Sequence, residues 1–393
     1  MDERALLARI AEAPDDDAPR LVFADHLADA GDPRGELTHV QCALAKGPGS
    51  RALRAREREL LPEAEARWHA ALGLPRAARV TLRRGMVEHV ALAPTGWEKT
   101  VAKLGFVPLR GVTFHGGETE DAVRLFGEKS LARFSELGFV EVPFGRHGLA
   151  ACAASPHLVG LRSLRLGKNG IGAAGATTLF ASKAVPALEH LAIEDNGLHS
   201  DGMEALAAGP WLKTVRRLEL HRVNVNTGWR PLERSKAFAQ IRELHLTSTG
   251  VFQPGNFICS SIAASKVLRD LSALTVARHS LETGGLKHLA KVTHSQPQAI
   301  DLSHNIVGPQ AIEAFVTAKV AARARVLDLS FNKLGDRGAK ALLVKGALPA
   351  IEELHLSENG ISPALVEQLR ARYGDALVLD EVKPKKPAKN RAR

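Results

Sequence analysis

Cysteine, tyrosine and long apolar runs are all scarce in this sequence of 393 residues. The three cysteines are widely separated, which excludes a disulfide scaffold and the paired cysteines of a zinc site. No apolar run approaches the roughly 18 residues of a membrane-spanning helix, and no basic stretch followed by an apolar core stands at the N-terminus. We therefore expect a cytoplasmic protein with no membrane span, and no pattern in the sequence predicts a metal or a cofactor.

The formal net charge of +10 is unevenly distributed along the chain. Residues 1–42 hold ten acidic residues and four arginines, whereas residues 383–393 hold six lysines and arginines and no acid. Most of the chain between them is only mildly basic, which disfavours nucleic acid as a partner. We predict that the Lys/Pro-rich tail 383–393 is disordered, and nucleic-acid association through this tail stays open as an alternative function.

One apolar pattern recurs through residues 87–380. Leu161, Leu164 and Leu166 are followed by Asn169, and the pattern returns at a spacing of roughly 27 residues. Alternating apolar positions predict a strand, and apolar residues four apart in the second half of each repeat predict a helix. The clearest repeats start at 161, 188, 215, 241, 271, 297, 324 and 351; earlier repeats are placed at Leu109/Val112/Phe114, at Leu137/Val140/Val142 and, loosely, at Val87/Val90/Leu92.

This pattern resembles the leucine-rich repeat, and the Gly-Ala helix half of each repeat resembles the ribonuclease-inhibitor subtype. The resemblance implies an α/β leucine-rich-repeat solenoid, a horseshoe with a parallel sheet on its concave face, built from about ten repeats over residues 73–382. At the bend after the strand, five asparagines are expected to bond to the backbone of neighbouring turns. They are Asn169, Asn196, Asn305, Asn332 and Asn359, and the series is broken at Val223, Thr249 and His279.

Residues 1–72 are predicted to form a small helical domain in front of the repeats. Apolar stripes and prolines indicate four helices, the last of them interrupted by Pro62. The string of residues 15–27 and the Gly-Asp-Pro-Arg-Gly-Glu-Leu string of 31–37 closely resemble a bacterial repeat-companion domain over 3–46, a family that implies architecture and no activity. Its aspartates lack the spacing of a calcium loop. They are expected to cap helices and pair with Arg20 and Arg34, or to dock onto the basic segment 46–84.

The repeat pattern also predicts which strand side chains point away from the core. Asp301, Asp328 and His355 would lie in line on neighbouring strands, with two serines beside them. Because such positions are open and solvated, we interpret them as a recognition surface and predict no enzyme activity. Glu141 is assigned to the same outward row, and Phe139 is expected to be the one clear aromatic side chain on this face.

The function that this pattern favours is a non-enzymatic scaffold, a monomer that binds a protein partner through the concave face. Charged outward side chains are densest between the strands that start at 215 and 241, beside two irregular segments, 223–240 and 248–268. The sequence therefore places the partner site at Arg217, Glu219, His221, Glu243 and His245.

A second resemblance leaves an alternative open. The Asn-Gly and Gly-Ala elements of the repeats are similar to those of eukaryotic Ran GTPase-activating proteins. That similarity covers the repeat type and implies a regulator of a small GTPase, without any activating residue that can be assigned.

Overall fold

The computed structural model describes residues 3–47, 50–223, 230–248 and 255–379. The chain divides into two compact units, Met1–Val215 and Arg216–Arg393. In both units strands alternate with helices, and successive strands pair in a sheet, so the fold is the predicted α/β repeat solenoid. Among the helices of these ranges, none combines the length and the apolarity that a membrane crossing requires.

The first unit opens with four helices and continues into strand–helix repeats. Its helices are α1 (Glu3–Glu12), α2 (Ala18–Asp29), α3 (Pro33–Ala45), α4 (Arg51–Ala71), α5 (Trp97–Lys103), α6 (Thr119–Gly127), α7 (Gly145–Ala154), α8 (Gly172–Phe180) and α9 (His199–Ala208). Its strands are β1 (Arg79–Arg83), β2 (Met86–Leu92), β3 (Gly111–His115), β4 (Glu136–Val140), β5 (Ser163–Gly167) and β6 (His190–Glu194).

Strands β1 and β2 form an antiparallel hairpin that the repeat pattern did not predict. Gly85 lies in its turn with φ of +78°, and a Cβ there would overlap the side chain of Thr38 in α3. From β2 to β6 the strands pair in parallel, with Val112, Leu137 and Leu164 side by side. The parallel sheet of the repeats is therefore confirmed, and the hairpin adds one antiparallel strand next to the N-terminal helices.

The strand frame predicted for the repeat around residue 140 is wrong by three residues. Leu137 and Phe139, not Val140 and Val142, occupy the buried strand positions that face the core. Glu141 therefore lies beyond the strand, where its φ of +58° forms the bend, and a glycine takes the outward position. Phe139 is fully buried and packs against three other phenylalanines, so a frame based on leucine did not recognise it.

Charged groups dock the acidic N-terminal helices onto the β1–β2 hairpin. Arg20 is fully buried and donates to Glu88 at 2.7 Å and to the carbonyl oxygens of residues 83 and 84. Arg84 pairs with Asp17 at 3.2 Å, and Arg110 lies 3.1 Å from Glu88. The docking alternative is seen in the pairs of Arg84 with Asp15 and Asp17, and the predicted pairing of Arg34 is seen with Asp32, whereas Arg20 pairs with Glu88 and not with an aspartate. No group of side chains in the described ranges could hold a metal ion.

The Gly-Asp-Pro-Arg-Gly string has structural roles in the helical domain. Asp32 accepts a hydrogen bond from the backbone N–H of Arg34 as the predicted cap of α3, and the Arg34 guanidinium lies 4.7 Å from the centre of the Trp68 ring. A Cβ at Gly35 would lie 2.6 Å from a carbonyl oxygen of α2, so glycine permits this close approach. The predicted interruption at Pro62 is wrong, because α4 continues through it with Pro62 on its exposed side.

The second unit repeats the strand–helix alternation. Its helices are α10 (Pro231–Arg234), α11 (Gly255–Ala264), α12 (Thr283–Ala290), α13 (Ile312–Val316), α14 (Gly335–Leu342) and α15 (Pro363–Tyr373). Its strands are β7 (Arg217–His221), β8 (Glu243–Thr247), β9 (Ala273–Ala277), β10 (Ala299–Asp301), β11 (Val326–Asp328), β12 (Glu353–His355) and β13 (Leu377–Val378), which pair in parallel and in chain order.

The two repeats without a Gly-Ala signature differ from each other. Between β7 and β8 the described helix α10 has only four residues, which agrees with the predicted irregularity. The next repeat contains the ten-residue helix α11, so that prediction is wrong for Gly255–Ala264. Gly255 allows this helix to pack closely against the bend that follows β9, because a Cβ at position 255 would lie 2.8 Å from the carbonyl oxygen of His279. Residues 224–229, residues 249–254 and the tail 383–393 lie outside the described residues.

The asparagine series has the structural role that the sequence predicted. Asn196 donates to the carbonyl oxygen of Leu166 at 3.0 Å and accepts from the backbone N–H of Asn169 at 2.8 Å. His279 stands at the equivalent position of its own repeat, where it is buried and its backbone N–H donates to Asn305. Side-chain hydrogen bonds to the backbone of neighbouring repeats are also made by Asn305, Asn332 and Asn359.

Candidate partner-binding face

Side chains between the buried strand residues form two rows on the second unit's sheet. Neighbouring strands are about 4.8 Å apart, so side chains within a row are adjacent. The first row is the one that the sequence predicted: Glu219, His245, Thr275, Asp301, Asp328 and His355. The second lies two residues earlier on each strand: Arg217, Glu243, Ala273, Ala299, Val326 and Glu353.

Arg217 lies at the centre of the predicted partner site. Its Nε donates to Glu219 at 2.6 Å, and its Nη1 donates to Glu243 at 3.1 Å. The ring of His221 lies 3.1 Å from the Glu219 carboxylate, and the ring of His245 lies 3.6 Å from the Glu243 carboxylate. The five residues are thus joined across β7 and β8, and we call them the Arg217 network.

Two threonines that the sequence reasoning missed hold the histidines of this network. The ring nitrogen Nδ1 of His221 shares a hydrogen bond with Thr247, and that of His245 shares one with Thr275 at 2.9 Å. Burial lowers the pKa of His245, and the nearby charge of Arg217 lowers it further, so its neutral form is favoured. The strand register places each threonine directly beside its histidine on the neighbouring strand. Aligning the repeats in the sequence could therefore have identified both threonines.

The two rows are acidic although the whole chain carries a formal charge of +10. Five carboxylates share this face with a single arginine, Arg217. Although the whole chain is positively charged, this surface is negatively charged, so it attracts cationic groups and repels the phosphates of nucleic acid. The carboxylates belong to Glu219, Glu243, Asp301, Asp328 and Glu353.

A hollow of about 230 Å³ lies on this face beside the Arg217 network. Its floor is largely apolar, because Ala273, Ala299 and Val326 are short side chains that leave space above the sheet. Polar side chains stand around this floor, and we call the whole feature the β9–β11 hollow. They are His245, Thr275, Asp301, Asp328 and His355.

The aspartates, serines and histidine of this face do not form a catalytic triad. Asp301 accepts a hydrogen bond from the backbone N–H of Ser303 at 2.9 Å, and Asp328 accepts one from that of Ser330 at 2.8 Å. In the described part of the chain, no hydrogen bond joins either serine hydroxyl to His355. A nucleophile–base contact of that kind is what acyl-transfer chemistry requires.

Comparison with known proteins adds a family match. A family model described as Leucine Rich repeat matches residues 161–180, 186–207 and 325–343. Each matched segment covers one strand and the helix after it, although the second segment ends one residue before α9 does: β5 with α8, β6 with α9, and β11 with α14. A search of curated proteins finds no match to this chain.

Solved structures give low-identity matches to this chain. One is from the Rad7 and Elc1 complex of yeast, with 15% identity, a TM-score of 0.44 and coverage of 72% of this chain and 78% of that one. An internalin, inlF of Listeria monocytogenes, has 15% identity, a TM-score of 0.38 and coverage of 71% and 76%. A protein from Bacteroides fragilis has 13% identity, a TM-score of 0.33 and coverage of 69% and 64%. With the family model matching three strand–helix units, the chain is a protein that contains leucine-rich repeats.

Proposed function

We propose that this chain is a non-enzymatic interaction scaffold that binds a protein partner through the exposed sheet face, with the Arg217 network as the contact. The network carries the proposal, because it joins five ionisable side chains on two neighbouring strands and leaves Arg217 about half exposed. Charged groups of this kind set the specificity and the association rate of a protein interface. The scaffold acts as a monomer in the cytoplasm and needs no cofactor.

Two finer assignments belong to this proposal. Helices of eight to ten residues follow the strands in the matched repeats, as α8, α9 and α14 do, which supports the ribonuclease-inhibitor subtype. The contacts of Asp32, Arg34 and Gly35 support a repeat-companion domain at 3–46. We place the end of the helical domain at 72 and the end of the repeats at 382.

The test is capture of a partner from the host with the wild-type protein, followed by measurement of its affinity for the Glu219→Lys/Glu243→Lys variant. We expect binding to weaken about tenfold, ~1.4 kcal/mol, and most clearly at low ionic strength. Reversing the charges of Glu219 and Glu243 places two ammonium groups next to the Arg217 guanidinium, which they repel. A thermal unfolding curve of the variant is therefore recorded to show that it is folded.

The matched control is Glu313→Lys/Glu367→Lys, which makes the same charge change at exposed positions on α13 and α15. We expect this control to bind as the wild type does. Unchanged affinity of the folded Glu219/Glu243 variant at low ionic strength would show that the network is not the contact. If the captured partner is a small GTPase and the protein raises its hydrolysis rate, the regulator alternative replaces the scaffold.

A further inference from the structure

Two carboxylates on the exposed face differ from the others in their surroundings. Asp301 and Asp328 lie side by side in register on β10 and β11. Neither forms an ion pair with a described residue, although Glu219 and Glu243 pair with Arg217. Like charges one strand apart repel each other, and a bound cation would relieve that repulsion.

The β9–β11 hollow adds an apolar surface next to these carboxylates. Ala273, Ala299 and Val326 form its floor, and the hollow of about 230 Å³ is large enough for an extended side chain. Lysine and arginine have an apolar stem and a charged head, and they lay the stem along apolar surface while the head contacts polar groups. An apolar floor that ends at two carboxylates fits such a side chain better than it fits a hydrated metal ion.

An exposed aromatic ring follows β11 in the chain. Phe331 follows Asp328 by three residues, is 41% exposed and stacks on His304 with ring centres 4.2 Å apart. Arg278 lies 3.1 Å from the ring of His304. Aromatic side chains are enriched at protein interfaces.

We propose that the β9–β11 hollow binds an arginine or lysine side chain of the protein partner, with its charged head between Asp301 and Asp328. This inference deepens the proposed function and rests on it. The partner segment is basic, in accordance with the acidic face, and its basic side chain enters the hollow next to the Arg217 network.

The experiment measures binding of a fluorescein-labelled hexa-arginine peptide to the full chain by fluorescence anisotropy at low ionic strength. We expect Asp301→Asn/Asp328→Asn to weaken binding at least tenfold. Asparagine keeps the oxygen that accepts the N–H of Ser303 or Ser330, so the thermal unfolding curve should match that of the wild type. The control Glu313→Gln/Glu367→Gln removes two charges on α13 and α15, and it should change the affinity less than twofold.

Several outcomes would overturn the inference. Equal weakening in both double variants would show that only bulk charge matters, and undiminished binding by the aspartate variant would exclude the hollow. Displacement of the peptide by an equal concentration of Mg²⁺ would indicate a simple cation site. If binding appears only after Lys383, Lys385 and Lys386 are changed to Gln, the protein's own tail is the occupant.

Failure of this inference and failure of the proposed function can be told apart. The hexa-arginine assay reports on Asp301 and Asp328 without any captured partner. Partner affinity of the Glu219→Lys/Glu243→Lys variant reports on the Arg217 network. Suppose that the aspartate variant loses peptide binding while the glutamate variant keeps its partner affinity. This result would support the hollow as a binding site for basic side chains and would exclude the Arg217 network as the partner contact.

Discussion

His279 shows how one residue changes the chemistry of the bend after a strand. Five other repeats carry an asparagine there, and its amide has no charge at any ordinary pH. His279 is 2% exposed, and burial lowers its pKa to about 4. The sequence showed that the series is broken here, but not that the imidazole would be almost completely buried.

We expect acid to destabilise the protein through His279. Its folded pKa of about 4 lies below the ordinary 6.5, so the unfolded chain takes up the proton more readily between these values. The contribution of His279 to the free energy of unfolding is complete above pH 6.5 and is lost as the pH falls toward 4, by up to about 3 kcal/mol. Urea unfolding at neutral pH and at mildly acidic pH should show a smaller difference for His279→Asn than for the wild type.

The matched control for this substitution is His147→Asn, which changes an exposed histidine. It should keep the acid sensitivity of the wild type. Identical pH dependence in the wild type and in His279→Asn would mean that His279 does not titrate in this range.

Whole strands and helices were predictable wherever the buried side chains kept the leucine spacing. β5 and β6 follow directly from Leu164, Leu166 and their counterparts in the next repeat. β4 was misplaced because Phe139 takes the second leucine position, while Val140 at the end of the strand and Val142 beyond it imitate the leucine spacing. The rows of the candidate site follow from the same periodicity, whereas the contacts of Arg217 depend on side-chain torsions that a sequence pattern does not contain.

The docking of the N-terminal helices onto the β1–β2 hairpin depends on Glu88. This carboxylate is 3% exposed and lies 2.7 Å from Arg20, 3.1 Å from Arg110 and 3.8 Å from Arg84. Glu88→Gln would leave three guanidinium groups around a neutral amide. Removing one partner of a buried ion pair costs roughly 3 to 5 kcal/mol, so we expect a loss of that size in the free energy of unfolding, measured in urea.

Glu36→Gln provides the control for Glu88→Gln in the same domain. Glu36 pairs with Arg56 at 2.6 Å, but both side chains are substantially exposed. Exposed pairs contribute about 1 kcal/mol or less, so this variant should unfold close to the wild type. If the two variants lose similar stability, the pairing of Glu88 is not what holds the helices on the hairpin.

At the scale of the whole molecule, the sequence predicted the type of architecture because every repeat buries its apolar face against its neighbours. The pattern could not predict the hairpin at β1 and β2, since an antiparallel strand outside the repeats leaves no periodic signal. It also could not predict that α11 is a full helix, because this repeat lacks the usual Gly-Ala signature. Periodicity thus defines what the repeats share, and packing at individual glycines defines how they differ.

The dependence of each repeat on its neighbours leads to a prediction for Leu329. This side chain is fully buried, and its backbone N–H donates to the carbonyl oxygen of His355 on β12. Leu329→Asp places a charge without a partner in the core between repeats, which costs several kcal/mol by transfer estimates. We expect the midpoint of thermal unfolding to fall sharply. Amide exchange protection should be lost most in β10, β11 and β12 and least in β7, because each repeat is stabilised by its direct neighbours.

Ala322→Asp introduces the same charge at an exposed position nearby and should leave both measurements unchanged. An unfolding midpoint equal to that of the wild type would mean that Leu329 does not face the core, and uniform loss of protection from β7 to β13 would mean that this unit unfolds as a single block.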